Sequence, residues 1–165
     1  MSYRSNIAIL VFVLALLIAT TIGADEKAKY SENLATNDTL GTYLVNQTGF
    51  TLYYFAEDSS GSGISNCYGS CAEIWSPFYA EKLTAANGLN AADFTSQFRS
   101  DGRKQTSFKG WPLYFYTMDT KPGDIFGQGV NKLWFAINPD SPEFKKSSYQ
   151  PTGYYPSGYS SSGGY

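Results

Sequence analysis

Two aspartates stand at matched positions: Asp58 closes "GFTLYYFAED" and Asp119 closes "GWPLYFYTMD". In each stretch a tyrosine, Tyr53 or Tyr114, precedes the aspartate by five residues, and the two copies lie 61 residues apart. Two carboxylates brought together by such a repeat are raw material for acid–base chemistry, one holding a proton while the other stays ionised. The remaining apparatus of an enzyme is missing. The chain has no histidine, no Gly-x-Ser-x-Gly nucleophile turn and no phosphate-binding glycine loop; "GQG" at Gly127–Gly129 is too short to be one. Loop oxygens in "DSSGSG" and "DTKPGD" could meet calcium, but calcium loops set more carboxylates at alternating positions.

The other reactive pair is Cys67 and Cys71 in "SNCYGSCAEIW", the only cysteines of the chain. In an exported protein an even cysteine count points to a disulfide, and Gly69 lends the intervening backbone the freedom for a tight turn. A redox-active thiol pair, or half of a metal site, is the alternative. Such a metal site is short of ligands, because no histidine or third thiol exists and Met118 is the only methionine past Met1. No metal and no cofactor is expected.

What must position these residues is a repeated strand. Residues two apart on a strand share a face, so Tyr53 sides with Phe55 and Tyr114 with Tyr116. Leu52, Tyr54, Leu113 and Phe115 face the other way and are apolar too, as in an inner strand covered on both sides. Each aspartate falls where the chain turns, and there it can accept backbone N–H groups or the hydroxyl of a buried tyrosine. Glycines and then a tryptophan follow in each copy, Trp75 after Ile74 and Trp134 after Leu133. Repetition of glycines, aromatics and a turn aspartate is what a scaffold needs, so a structural role is expected for Tyr53, Phe55, Asp58, Trp75, Tyr114, Tyr116, Asp119 and Trp134.

Around these strands "TYLVNQTGF" reads as a hairpin, and "CAEIW" as a helical turn ending near Pro77. "AEKLTAANGLNAADFTSQF" carries the best helical character, interrupted at Asn87-Gly88. Asp101-Gly102, a two-residue hairpin signal, and Lys109-Gly110 punctuate a meander, and "LWFAIN" is a closing strand. The expected fold is mainly β, with two tandem hairpin or meander repeats sharing one core in a small sandwich or barrel-like arrangement with short helical turns. The repeats span about 42–80 and 93–140 within a domain at 42–140.

The ends differ in kind. Arg4, the apolar run Ile7–Ile22 and small residues up to Ala24 have the order of a secretory signal peptide, expected over 1–24. An uncleaved anchor is the alternative, and would be the chain's only membrane contact. A polar lead-in at 25–41 and a Tyr/Gly/Ser/Pro-rich tail at 147–165, too poor in aliphatics for a core, flank the domain. Asn37 and Asn46 begin glycosylation sequons. A net charge of −2 without a basic cluster speaks against nucleic acid as a partner.

These stretches, with "CYGSCAEIWSP", "DGRKQTSFKGWPLYFYTMD" and "KPGDIFGQGVNKLWFAINP", resemble the secreted-repeat family of prokaryotic exported proteins and lipoproteins with a Tyr-x-[Phe/Trp/Tyr]-x-x-Asp motif. The family motif maps onto Tyr53, Phe55 and Asp58, then Tyr114, Tyr116 and Asp119. Unlike many relatives, the chain lacks a cysteine after the signal to carry a lipid, and its second copy lacks the cysteine pair. The resemblance implies export and a duplicated fold, but no activity. The expectation is a secreted, non-catalytic extracellular or cell-surface module whose partner is an unnamed envelope or extracellular component. The alternatives are an extracytoplasmic redox or metal-associated accessory protein and, after that, a small carboxylate-based enzyme.

Overall fold

A computed structural model of the protein describes residues 31–145, apart from 60 and 87. The signal segment expected at 1–24, the beginning of the lead-in at 25–30 and the tail at 147–165 lie outside the described residues. Strands β1 (Glu32–Asn37) and β2 (Gly41–Asn46) form an antiparallel hairpin. Strand β3 (Tyr53–Phe55), helix α1 (Ser70–Ile74) and strand β4 (Trp75–Pro77) complete the first copy. The second copy repeats the plan with β5 (Phe94–Phe98), β6 (Lys104–Phe108), β7 (Trp111–Pro112), β8 (Tyr114–Tyr116) and β9 (Trp134–Ala136). Helix α2 (Pro142–Lys145) follows. Among the described residues the fold is mainly β with antiparallel sheets and short helices, as the sequence leads one to expect.

The copies interlock instead of lying side by side. The central sheet runs β4-β8-β3-β9, so each strand of one copy neighbours strands of the other. Tyr53 and Tyr114 oppose each other at its middle. Beyond the sheet the exchange continues through the backbone. Leu44 N–H donates to the Ile137 carbonyl at 2.8 Å and Ile137 N–H to that of Leu52 at 3.0 Å. Thr106 donates to Phe78 at 2.8 Å and Phe78 to Leu113 at 2.9 Å in the equivalent places of the other copy. Each hairpin is thus stitched to the last strand of the opposite repeat.

Period-two alternation on β3 and β8 divides the interior into two clusters. Leu52 and Leu113 join Leu44, Phe78, Phe94, Phe108, Ile137 and Phe144 in an aliphatic–aromatic cluster, with Tyr54 and Phe115 packed against it. Tyr53, Phe55 and Tyr114 join Trp75, Trp134, Ala72 and Cys67 in the second. Both faces of the central sheet are therefore covered.

Three local expectations are corrected. Part of the polar lead-in is β1: Glu32 and Asn33 are buried, because β2 takes its backbone partner there. The Asn37 side chain closes the turn by accepting from Thr39 N–H at 2.9 Å and Leu40 N–H at 2.7 Å. No α-helix forms among the described residues of 80–98. Thr84–Ala86 instead lies extended beside β1, where Ser31 N–H donates to the Thr84 carbonyl at 2.8 Å and Ala86 N–H to that of Glu32 at 3.0 Å. Leu83, Ala85 and Leu89 then reach the core, and only Ala91–Asp93 makes a 3-10 turn. Asp101-Gly102 ends a longer turn than the expected two residues, with Gly102 N–H donating to the Arg99 carbonyl at 3.0 Å. Lys109 and Gly110, at φ 48° and 77°, do form the two-residue reversal that joins Phe108 to Trp111.

Candidate functional site at the crossed tyrosine–aspartate pairs

The leading tyrosine of each motif donates to the aspartate of the other copy. The Tyr53 hydroxyl donates to Asp119 Oδ2 at 2.7 Å, and the Tyr114 hydroxyl to Asp58 Oδ2 at 2.6 Å. The second oxygen of each carboxylate accepts a backbone N–H: Asp58 Oδ1 from Asn66 at 2.6 Å and Asp119 Oδ1 from Phe126 at 2.9 Å. The aspartates are set at matching tight turns, with Asp58 N–H donating to Phe55 at 3.0 Å and Asp119 N–H to Tyr116 at 3.1 Å. All four side chains belong to buried residues. Short O–H···O⁻ bonds of this kind are charge-assisted and the stronger for being out of water.

Burial disfavours the ionised form of every member. It raises the Asp58 carboxyl to about 6, although the Tyr114 and Asn66 hydrogen bonds and the Arg99 charge pull it down. Asp119 is raised by burial, with its Tyr53 and Phe126 bonds opposing and Asp124 adding to the rise. Tyr53 and Tyr114 are both held far above the usual phenol range, by burial first and then by the carboxylate each one faces. The phenols stay protonated and serve as donors.

Beside these pairs the two tryptophans meet face to face. Trp75 and Trp134 stack with centroids 3.8 Å apart and planes 2° from parallel. Tyr116 covers Trp75 at 4.2 Å and Phe55 covers Trp134 at 4.3 Å, giving a four-ring ladder Tyr116–Trp75–Trp134–Phe55. Tyr53 presents its edge to Trp75 at 5.6 Å, and Tyr114 to Trp134 at 5.1 Å. All eight motif residues therefore converge on one aromatic core. Close approach requires Gly127, where a Cβ would lie 2.7 Å from Cζ of Tyr53 and 3.0 Å from Cη2 of Trp75. Its N–H donates to the Tyr53 hydroxyl oxygen at 3.3 Å.

Cys67, just before α1, and Cys71, in its first turn, form a disulfide with Cα atoms 5.3 Å apart, and Cys67 packs in the same core. Asn37 and Asn46 belong to hairpin turns: the Asn46 side chain accepts from Thr48 N–H at 3.0 Å and Phe50 N–H at 2.8 Å. A separate open groove of about 680 Å³ runs past Asn46, Gln47, Tyr79, Glu81, Lys82 and Phe115.

The family model described as a secreted repeat of unknown function matches residues 35–78 and 96–138. The chain belongs to that family. No curated protein and no solved structure matches it. This secreted repeat is an extracytoplasmic protein, and the two matched segments are the two interlocked copies.

Around the motif, the secreted repeat uses residues that the sequence does not mark. Ser65 Oγ sits 2.8 Å from the Tyr114 hydroxyl oxygen. Arg99 is buried, donating to Gln105 Oε1 and to the Cys67 carbonyl, and it supplies the positive charge near Asp58. Neither residue has a counterpart signal in the repeat pattern, since Ser65 is one of many loop serines and Arg99 lies beside a turn where a solvated charge is the ordinary case. Gly127 did carry a trace: it lies in the short "GQG" that phosphate-loop reasoning sets aside.

Proposed function

We propose that this secreted repeat is a non-catalytic extracellular or cell-surface module, in which the doubled motif acts as a clasp between copies. The observation that carries the reading is the satisfaction of Asp58 and Asp119: each buried carboxylate has both oxygens on protein donors, one from either copy. A general acid or base needs an atom free to reach a substrate, and these oxygens are turned inward. One surface open to a partner is the groove beside Tyr79, where an exposed ring, amides, an acid and an amine suit a polar chain such as a glycan segment.

Support for an accessory role in thiol exchange or metal handling is thinner. Cys67 is fully buried, which keeps the disulfide from an attacking thiolate on that side. Among the described residues no group of three or more His, Cys, Asp or Glu is gathered as a metal site needs.

The test compares Asp58→Asn/Asp119→Asn with Tyr79→Ala. The carboxamide pair should unfold at lower urea, and Tyr79→Ala should keep its stability but lose binding to soluble polysaccharide fragments followed by NMR shifts. A carboxamide double variant as stable as the parent but lacking a glycan-hydrolysing activity that the parent has would overturn the proposal.

A further inference from the structure

The aromatic core has an order that packing alone does not call for. A stack of three oxidisable rings, Tyr116–Trp75–Trp134, leads from a half-buried tyrosine to two fully enclosed phenols, each already bonded to a base. Tyr53 touches Trp75 and bonds Asp119; Tyr114 touches Trp134 and bonds Asp58. A phenol gives up an electron readily only when its proton leaves with it. That requires an acceptor within hydrogen-bond reach, which 2.7 and 2.6 Å provide. A stacked tryptophan pair can share an electron vacancy between its faces and pass it on to the phenols at its edges.

We propose that this core is a one-electron relay that reduces outer-sphere oxidants meeting the protein at Tyr116, storing the vacancy as a neutral tyrosyl radical at Tyr53 or Tyr114. The substrate class is a one-electron oxidant of the extracytoplasmic space, such as an oxidised transition-metal complex or an oxygen-centred radical. The oxidant gains one electron from the ladder. Trp75, left one electron short, takes an electron from Tyr53, and the phenol proton moves to Asp119 Oδ2. The products are the reduced oxidant, a neutral phenoxyl and a neutral carboxylic acid, so charge and protons balance. Tyr114 and Asp58 offer the same step from Trp134. Enclosure then keeps the radical from other molecules, and one electron from a later reductant, with the proton returning from the aspartate to the phenol, restores the core. This activity goes beyond the scaffold reading and does not depend on it.

The experiment oxidises the full chain with photogenerated ruthenium(III) tris-bipyridine and follows radicals by transient absorption and by electron paramagnetic resonance of frozen samples. The wild-type protein should give a persistent neutral tyrosyl signal. Tyr53→Phe/Tyr114→Phe should lose most of it, leaving only the short-lived signal of exposed tyrosines. Asp58→Asn/Asp119→Asn should shift the signal toward tryptophan radical. Tyr116→Leu, which leaves both clasps in place, should slow its appearance. A persistent tyrosyl of unchanged yield in the phenylalanine pair, or an unchanged rate with Tyr116→Leu, would overturn the proposal. If the phenylalanine pair does not fold, the rate with Tyr116→Leu decides the matter.

Discussion

Replace Tyr114 with phenylalanine and Asp58 with alanine, singly and together, and the crossing of the two copies becomes measurable in solution. Tyr114→Phe removes the donor that reaches Asp58 at 2.6 Å and leaves a buried carboxylate oxygen short of a partner. A hydrogen bond to a charged group is worth about 1.5–3 kcal/mol, so a loss of about 2 kcal/mol is expected. Asp58→Ala strips the same bond and also orphans the Asn66 N–H, so its cost should be larger, about 3 kcal/mol. Because the two substitutions share one interaction, the double variant should lose less than their sum, by about 1.5–2 kcal/mol. The control pair is Tyr114→Phe with Asp119→Ala. These residues belong to one sequence motif, but their hydrogen bonds go to different partners. Their effects should add within about 0.5 kcal/mol. The assay is urea unfolding followed by tryptophan fluorescence, with the slope checked for constancy across variants. Coupling in the same-motif pair that equals or exceeds coupling in the crossed pair would refute the interlocked arrangement.

The raised carboxylates set a pH dependence. Folded Glu32, pushed up from 4.5 to about 7 by burial, and Asp58, pushed up to about 6, hold protons that the unfolded chain has already released. Stability should therefore fall as pH rises from about 4 to 7 and level off above that, with Glu32 contributing about 3 kcal/mol of the fall; urea midpoints at pH 5 and 8 measure it, and Glu32→Gln should flatten the profile. Gly127→Ala places a methyl group against the rings of Tyr53 and Trp75 and should cost about 1–3 kcal/mol, with altered near-ultraviolet circular dichroism. The Cys67–Cys71 ring is short, so its reduction should lower stability by only about 2 kcal/mol and leave the protein folded, as denaturation with and without a phosphine reductant would show.

Much of the scaffold was legible in order of residues. The alternation through Leu52–Phe55 and Leu113–Tyr116 announces strands covered on both faces, and the two clusters divide along that alternation. Lys109-Gly110 marks its reversal through the positive φ that glycine tolerates. Where local signals misled, a tertiary contact decided the outcome. Thr84–Ala86 sits in a stretch with helical composition, but its backbone pairs with β1, and an extended chain is what sends Leu83 and Ala85 inward. Glu32 and Asn33 look like solvent-facing residues and are buried because β2 needs a neighbour.

The candidate site shows the same division. By its own order of residues the chain determined that a tyrosine, an aspartate and a tryptophan would recur at matched intervals on matched elements, since strand alternation and turn chemistry are local. Which tyrosine meets which aspartate is a different kind of fact. Within a repeat, Tyr53 with Asp58 and Tyr53 with Asp119 are equally good donor–acceptor pairs, and no spacing separates them. Only the order β4-β8-β3-β9 does so, by setting strands of the two copies alternately and turning each phenol toward the other copy's bend. The same interleaving lays Trp75 on Trp134, residues 59 positions apart whose contact no local rule dictates.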